Sequence, residues 1–172
     1  RRLPAIIRVD GRAIHSFLRK LTKPFDSRFR TVMEQSALAV ASQIQGCQFA
    51  FIQSDEVSFL LTDYAKPTTD AWFGYDLQKI VSLSAALMTA HFGHKWAFRS
   101  DRSPTEEASL PTFDSRAFTI PPHDVENYFI WRQKDATRNS INMLGQHFFS
   151  HRDLHGKSTD EVQDMLMTQK GV

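Results

Sequence analysis

Two short stretches that contain carboxylates lie at the ends of the most apolar segments of this chain. The first, Arg8–Arg12, directly follows the apolar run Ala5–Ile7, and the second, Gln53–Glu56, separates the apolar segments Phe49–Ile52 and Val57–Leu61. Short apolar segments that are bounded in this way predict buried β-strands. A carboxylate at the end of a buried strand is costly unless a cation lies beside it, because burying an unpaired charge is unfavourable. Each stretch therefore predicts a carboxylate with a cationic partner.

The composition is typical of one folded domain in a reducing compartment. Hydrophobic residues make up 41% of the 172 positions, which is enough for a packed core. Cys47 is the single cysteine, so neither an internal disulfide nor a cysteine-based zinc cluster is expected. No apolar run approaches the roughly 18 residues of a membrane span. We expect a cytoplasmic protein without a membrane segment, and we interpret residues 1–172 as one domain with a helical extension, cut from a longer chain.

The charge balance by itself does not predict a nucleic-acid partner. The formal net charge is only +2 at pH 7, so an RNA-binding surface would have to come from local clusters of basic residues. One such cluster contains Arg132, Lys134 and Arg138, of which the last two share one face of a helix. A solvated helix face explains the same pattern equally well, so both interpretations stay open.

Apolar periodicity and turn residues predict an alternation of strands and helices. The predicted strands are Ala5–Val9, Gln48–Gln53, Val57–Thr62 and Phe113–Ile120. The predicted helices are a short one over His15–Leu21, then Asp26–Gln45, Trp72–Phe92, Asp124–Gln133, Ala136–His151 and Ser158–Gln169. Asp10–Arg12 is predicted as a turn, Ser54–Glu56 as the tip of a hairpin, and residues 94–111 as an exposed excursion.

This order of elements predicts an α+β fold. Strand, helix, strand, strand, helix, strand is the order of a split βαβ (ferredoxin-like) unit, in which an antiparallel sheet carries two helices on one face. The remaining helices follow as a C-terminal extension. In this arrangement the first strand lies beside the hairpin, so Asp10 and Asp55 would lie next to each other. Two such carboxylates could hold Mg²⁺ ions against phosphate groups, as in two-metal phosphoryl transfer.

Five short motifs occur in order along the chain, at residues 8–17, 23–26, 53–59, 113–116 and 131–135. Together they resemble the histidine-tRNA guanylyltransferase superfamily, whose members add nucleotides to the 5′ end of tRNA, opposite in direction to ordinary polymerases. The resemblance covers about Leu3–Ser150. It implies a single catalytic domain with a polymerase-like palm, two Mg²⁺ ions, and ATP or GTP as substrates.

The resemblance also implies roles for particular residues. Asp10 and Asp55 would be the catalytic carboxylates and metal ligands, and the Gly11 carbonyl would be a third metal ligand. The residues implied to contact the nucleotide and its triphosphate are Asp10, Gly11, Arg12, Ala13, Ile14, His15, Lys23, Asp26, Ser54 and Asp55. Arg116 and the cluster Trp131–Asp135 would support the site or contact RNA. The implied partners are tRNA, nucleoside triphosphates and further copies of the chain in a tetramer.

One departure from the family pattern bears on the reaction. Enzymes that add the extra guanylate to histidine tRNA carry the sequence HINNLYN after the tryptophan motif, whereas residues 137–143 here are TRNSINM. The chain thus resembles the guanylyltransferase-like branch, which implies template-dependent repair of truncated tRNA 5′ ends. Guanylate addition to histidine tRNA, a palm-fold nucleotide cyclase and a non-catalytic tRNA-binding module remain the alternatives. A cyclase of the diguanylate type would be expected to carry a glycine-glycine-acidic hairpin at Gln53–Glu56.

Two further sets of side chains have open roles. Glu56 could be another metal ligand, but neighbouring residues of a strand point to opposite faces of the sheet. His147, His151 and His155 recur at four-residue intervals, as zinc ligands on a helix would, although solvated histidines give the same pattern. We expect neither set to bind a metal ion.

Overall fold

The computed structural model describes residues 2–101 and 111–172, which form helices and one sheet. The strands are β1 (Ala5–Arg12), β2 (Cys47–Gln53), β3 (Glu56–Leu61) and β4 (Thr112–Thr119). The α-helices are α1 (His15–Leu18), α2 (Ser27–Ala41), α3 (Leu77–Ala97), α4 (Val125–Phe148), α5 (His151–Leu154) and α6 (Thr159–Lys170). Short 3₁₀ turns at Trp72–Tyr75 and Pro122–Asp124 precede α3 and α4.

The sheet has the topology of a split βαβ unit. Among the described strands the order is β2-β3-β1-β4, and each neighbouring pair is antiparallel. The predicted α+β fold class is therefore confirmed, as is the pairing of the first strand with the hairpin. None of the helices in the described part of the chain is long and apolar enough to cross a membrane.

The main core lies between the sheet and the helices α2 and α3. Alternate residues of β1, namely Ala5, Ile7 and Val9, are at most 5% exposed and belong to one cluster with Met33 of α2 and Met88 of α3. Because strand side chains alternate between the two faces, this cluster uses one face of the sheet only. The packing makes β1 and β3 rigid central strands, with Asp10 near the end of β1 and Asp55 directly before β3.

Helix α4 covers part of the opposite face. Glu56 and Ser58 alternate with core residues of β3, so their side chains point away from α2 and α3. There Ser58 Oγ lies 2.8 Å from the Tyr128 hydroxyl, and Glu56 Oε1 lies 2.8 Å from Arg132 Nε. The predicted placement of helices on one face is thus incomplete, because the C-terminal extension places a helix on the other.

The segment Asp10–Arg12 is strand rather than the predicted turn. It pairs with Thr112–Asp114 of β4, and Asp10 also pairs with Glu56 of β3. The prediction was wrong because an Asp-Gly pair favours a turn only where no neighbouring strand takes up its backbone groups. As a result Asp10 lies on a paired strand between two others, which is a more rigid position than a turn.

The start of α3 also differs from the prediction. The helix begins at Leu77 rather than Trp72, because Phe73, Gly74 and Tyr75 have φ angles of 50°, 59° and 62°. Asp76 then caps the helix through a bond that its carboxylate accepts from the Lys79 amide at 3.1 Å. Left-handed backbone cannot continue a right-handed helix, so these residues set the boundary.

Other boundaries differ where no strong breaker is present. Helix α4 is continuous, although two helices were predicted within its range, and α2 ends at Ala41 rather than Gln45. Helix α3 runs on to Ala97, into the predicted excursion, of which residues 102–110 lie outside the described residues.

Candidate metal and nucleotide site

The hairpin turn places the Asp55 carboxylate directly against β1. Gln53 and Glu56 form the last pair of the hairpin, which leaves Ser54 and Asp55 as the turn. An ideal Cβ built on Gly11 would lie 2.7 Å from Asp55 Oδ2 and 3.1 Å from Asp55 Cβ. Only glycine leaves room for this approach, because real Cβ atoms do not come so close. The hairpin tip and the end of the first strand therefore meet.

Asp10 has acidic neighbours on both sides of its strand. It pairs with Glu56 of β3 and with Asp114 of β4, and Asp55 precedes Glu56 in the chain. In the described residues no group of three or more histidine, cysteine, aspartate or glutamate side chains is arranged to hold a metal ion. Two aspartates and a backbone carbonyl are nevertheless an oxygen donor set that suits Mg²⁺, which completes its shell with water and substrate phosphates. The residues at the site thus fit this ion.

Glu56 has arginine partners. Its carboxylate lies 2.8 Å from Arg132 Nε and 3.6 Å from Arg8 Nε, and only 9% of the residue is exposed. Burial raises the pKa of Glu56, Arg132 and Arg8 oppose the rise, and the charge of Asp10 adds to it. Because its oxygens face guanidinium groups, Glu56 serves the packing of α4 on the sheet, and a metal-ligand role for it gains no support.

The end of β1 and the segment after it contribute unequally to the site. Arg12 and Ala13 are exposed, and Ala13 has a left-handed φ of 51°. Such backbone is unusual for a residue other than glycine and is enriched at functional sites, and Ser54 across the site shares it with a φ of 53°. Ile14 is 3% exposed and its side chain packs in the core, so only its backbone is available to a ligand. His15 begins α1.

A cavity of about 540 Å³ opens beside the hairpin. Its apolar walls come from the α1–α2 connection, α2, β2 and α4, and include Phe29, Met33 and Ile52. The sequence-predicted residues Lys23, Asp26 and Ser54 line it as well. A cavity of this volume with mostly apolar walls and a few polar groups is typical of a small-molecule site. The structure thus brings the second motif to the hairpin tip.

Asp26 caps the N-terminus of α2. Its Oδ1 accepts bonds from the amides of Arg28 at 2.9 Å and Phe29 at 3.2 Å, and its Oδ2 accepts from the Thr22 amide at 3.0 Å. Arg28 Nη2 also donates to Oδ2 at 2.6 Å, and this bond holds the pKa of Asp26 well below its usual range. Asp26 therefore shapes the cavity wall with oxygens that already have donors.

The structure separates the three basic residues that were grouped as an RNA-binding cluster. Arg132, in the first half of α4, is 5% exposed, so a direct contact of its side chain with RNA does not fit this structure. Lys134 and Arg138 are exposed, and Arg138 pairs with the carboxylate of Asp135. The prediction failed for Arg132 because its buried partners lie 76 to 79 residues away in sequence.

The three histidines do not form one helical face. His147 lies in the last turn of α4, Phe149 is extended, and α5 starts at His151.

Sequence reasoning also missed the contacts of Gln53 and Asp135, whose side chains lie 3.0 Å apart. Gln53 belongs to the motif at residues 53–59 and Asp135 to the motif at residues 131–135. This was the only sign in the sequence that the two side chains have a role.

The sequence matches the profile of the family described as tRNAHis guanylyltransferase (Thg1) over residues 1–121, which is more than half of the chain. The chain belongs to this family. The tRNA(His) guanylyltransferases of Debaryomyces hansenii and Schizosaccharomyces pombe are 31% and 33% identical to it over 139 residues. These alignments cover 79% of this chain and 51% and 50% of those proteins, so the chain spans about half the length of the curated relatives it matches.

Solved structures from the same family share the fold. A bacterial tRNA(His) guanylyltransferase-like protein in complex with ATP has a TM-score of 0.92 and 41% identity, covering 99% of this chain and 73% of that one. A structure with the same description, in complex with GTP, has a TM-score of 0.84 and 36% identity, covering 99% of this chain and 70% of that one. The tRNA(His) guanylyltransferase of Saccharomyces cerevisiae, at 24% identity and a TM-score of 0.76, supports the fold alone.

The motifs of this family member meet around the hairpin tip. Asp10 and Gly11 come from β1, Ser54 and Asp55 from the hairpin, and Lys23 from the cavity wall. The fourth motif, on β4, pairs with β1 at Asp10 and Gly11, and the fifth, on α4, contacts the hairpin from the opposite face. The resemblance inferred from the five motifs is therefore confirmed at the level of the family.

Proposed function

We propose that this chain carries the catalytic centre of an enzyme that adds nucleotides to the 5′ end of tRNA in the 3′-to-5′ direction, directed by the opposing strand. The single observation that carries this proposal is the close approach of the Asp55 carboxylate to Gly11, next to Asp10, in a turn whose other residue, Ser54, lines a cavity of about 540 Å³. Family membership supplies the substrate class, since the relatives are named tRNA(His) guanylyltransferases.

In the proposed centre, Asp10, Asp55 and the Gly11 carbonyl would hold two Mg²⁺ ions. Bound there, the ions would supply the positive charge that a triphosphate and a developing phosphoryl charge require. The glycine at position 11 lets the backbone of β1 and the Asp55 carboxylate approach each other closely. The paired strand β1 holds Asp10, and the hairpin of β2 and β3 holds the turn with Asp55, before the substrate arrives, which lowers the cost of organising the reaction.

The cavity beside the hairpin would take the base and sugar of ATP or GTP. Phe29, Met33 and Ile52 offer an apolar surface to the base, and Lys23 offers a positive charge. The triphosphate would extend towards Asp10 and the backbone of Gly11–His15. The bacterial relatives whose structures contain ATP and GTP are consistent with a site for either nucleotide.

The proposed reaction has two steps. In the first, the tRNA 5′-phosphate attacks the α-phosphorus of ATP or GTP, which forms a phosphoanhydride and releases pyrophosphate. In the second, the 3′-hydroxyl of the incoming nucleotide attacks the activated 5′-phosphorus, forms the new phosphodiester and releases the activating AMP or GMP. Each step moves a phosphoryl group between oxygens, so positioning and charge neutralisation suffice without a covalent protein intermediate.

The remaining parts of the proposal concern the partners and the compartment. Lys134 and Arg138 are exposed on α4 and are proposed to contact the tRNA backbone, which is read by shape and charge in a duplex acceptor stem. A cytoplasmic location is proposed from the single cysteine, and assembly into a tetramer from the family resemblance. Light scattering of the purified chain would test the oligomeric state.

The test is nucleotide addition to a 5′-truncated tRNA with Mg²⁺ and nucleoside triphosphates. Asp10→Asn and Asp55→Asn should each lose nearly all addition while they remain folded, because removing one of two like charges relieves repulsion in the metal-free protein. Asp164 is an exposed aspartate of α6, and Asp164→Asn is the matched control, which should keep wild-type activity. Wild-type rates in either active-site variant at saturating Mg²⁺ would rule out the proposed centre.

Guanylate addition to intact histidine tRNA is the second candidate, because the curated relatives carry that activity in their names. The sequence TRNSINM at residues 137–143 favours the first candidate, since it differs from the HINNLYN pattern of enzymes that add the extra guanylate. The relatives of 41% and 36% identity are likewise called guanylyltransferase-like. Comparing intact and truncated histidine tRNA as substrates separates the two.

A further inference from the structure

Helix α4 holds both ends of the hairpin turn that carries Asp55. Gln53 and Glu56 are the last paired residues of β2 and β3, and they flank Ser54 and Asp55. Arg132 Nη2 donates to Gln53 Oε1 at 3.1 Å and to Glu56 Oε2 at 3.0 Å, while Arg132 Nε forms an ion pair with Glu56 Oε1 at 2.8 Å. One guanidinium group therefore bridges both flanks of the turn.

Asp135 joins this contact from one helical turn further along α4. Its Oδ2 accepts a hydrogen bond from Gln53 Nε2 at 3.0 Å and another from Arg132 Nη2 at 3.2 Å. The side-chain amide of Gln53 is thus held through its oxygen and through its nitrogen, which fixes its orientation. Arg132, Gln53, Glu56 and Asp135, called the clamp below, form a connected network, and such networks are more rigid than separate pairs.

The burial of Arg132 makes these contacts obligatory. Its side chain is 6% exposed, and a buried guanidinium is unfavourable unless acceptors meet its donors. Arg132 Nη2 reaches both Gln53 and Glu56, and the planar fork of arginine places Nε against the second oxygen of Glu56 at the same time. A lysine at the same place would offer a single nitrogen and could not also make the second contact, from Nε, to Glu56.

We propose that Arg132 is a positioning residue that keeps Asp55 against Gly11 by fixing Gln53 and Glu56 on either side of the turn. The inference rests on the proposed function, because it assigns Arg132 a part in binding the metal–nucleotide complex without touching it. Ser54 has a φ of 53°, and a non-glycine residue keeps such backbone only where its surroundings hold it. The clamp supplies that restraint from outside the turn.

Two variants separate positioning from folding. Arg132→Lys keeps a positive charge beside Glu56 but removes the fork, and Gln53→Leu removes the other arm of the clamp without leaving a buried charge. Val162→Ala is the stability control, because Val162 is 4% exposed and packs against α4 at Gly145. Gly145 lies about 20 Å along α4 from Arg132, at 1.5 Å per residue, so this change leaves the clamp intact.

The first measurement is hydrogen exchange of the backbone amides of residues 53–56, made on the intact protein. We expect severalfold faster exchange in these residues for Arg132→Lys and Gln53→Leu, with β1 protected as in the wild type. Val162→Ala should leave the exchange of the turn unchanged. If the turn exchanges at the wild-type rate in both clamp variants, the inference is overturned, regardless of their activity.

The second measurement is the affinity for ATP in the presence of Mn²⁺, by titration calorimetry. We expect Arg132→Lys to weaken this affinity by about 10-fold, the usual effect of losing a residue that orients a metal ligand, and Val162→Ala to leave it unchanged. A loosened turn with unchanged affinity would overturn the positioning role. A wild-type chain that binds no ATP with Mn²⁺ would instead contradict the proposed function, and the positioning role with it.

Discussion

Replacing Gly11 with alanine should displace the Asp55 carboxylate without removing any functional group. The added Cβ would lie 2.7 Å from Asp55 Oδ2 and 2.9 Å from Ile14 Cδ1, whereas ordinary contact begins at 3.4 Å. The carboxylate oxygen would therefore have to move by about 0.7 Å, the difference between 3.4 Å and 2.7 Å. Ile14 has little room to move instead, because it is 3% exposed and packed in the core.

A shift of this size is large for a group that must hold a metal ion against a phosphate. A misplacement of roughly 1 Å can lower a rate by about 100-fold, so we expect Gly11→Ala to slow nucleotide addition by about 10- to 100-fold. The free energy of unfolding should fall by only about 1–3 kcal/mol, which is the usual cost of overpacking. The chain should remain folded, because a domain of this size typically has about 5–15 kcal/mol of stability.

Gly145→Ala is the matched control. Its added Cβ would also meet a side-chain atom at 2.7 Å, but that atom is Val162 Cγ1, where α6 packs on α4. Both variants are to be compared by urea unfolding and by addition to a 5′-truncated tRNA. We expect similar losses of stability, with a loss of activity in Gly11→Ala alone. Full activity in Gly11→Ala would refute the placement of Asp55, and equal activity losses would show that stability controls the rate.

Three other predictions follow from charges and contacts. Asp26→Ala should lower the free energy of unfolding by about 1–2 kcal/mol at pH 7 through loss of the helix cap. The loss should shrink as the pH falls below about 3.9, because the pKa of Asp26 is lower in the folded protein than in the unfolded chain. The ionised carboxylate therefore contributes its full stabilisation only above the unfolded pKa, and this contribution is lost as the pH falls towards the folded pKa. An equal loss at pH 7 and pH 3 in urea titrations would contradict this. The double variant Lys134→Ala, Arg138→Ala should weaken tRNA binding and reduce the logarithmic salt slope by roughly one unit or less per lost phosphate contact, with nearly unchanged affinity for GTP with Mg²⁺; an unchanged slope with much weaker GTP binding would instead place these residues in the nucleotide pocket. Removal of divalent ions with EDTA should abolish addition, and Mg²⁺ should restore it; addition that persists in EDTA would exclude a metal-dependent centre.

The topology could be predicted from the sequence because it depends on short-range patterns. The apolar segments on both sides of Gln53–Glu56 indicated a hairpin, and the helical periodicity that starts at Asp26 indicated α2. Placing Asp55 next to Asp10 then needed only the pairing order of a split βαβ sheet. These features are local or follow from a common arrangement, so one sequence was enough.

The errors arose where distant partners decide the structure. Asp10–Arg12 is strand because β4, about 100 residues later, pairs with it, and Arg132 is buried because Gln53 and Glu56 face it. A basic residue among other basic residues gives no local sign of such partners. The left-handed backbone at Phe73–Tyr75 was also hidden, since only the glycine within it marks a turn.

The identity of the added nucleotide tests the central claim most directly. The substrates are tRNA transcripts that lack the first nucleotide and differ only in the base opposite the gap. We predict that, with Mg²⁺, the wild-type chain adds the complementary nucleotide in each case, and that Asp55→Asn adds none. Guanylate added whatever the opposing base, or wild-type addition by Asp55→Asn, would contradict a template-directed centre built on Asp10 and Asp55.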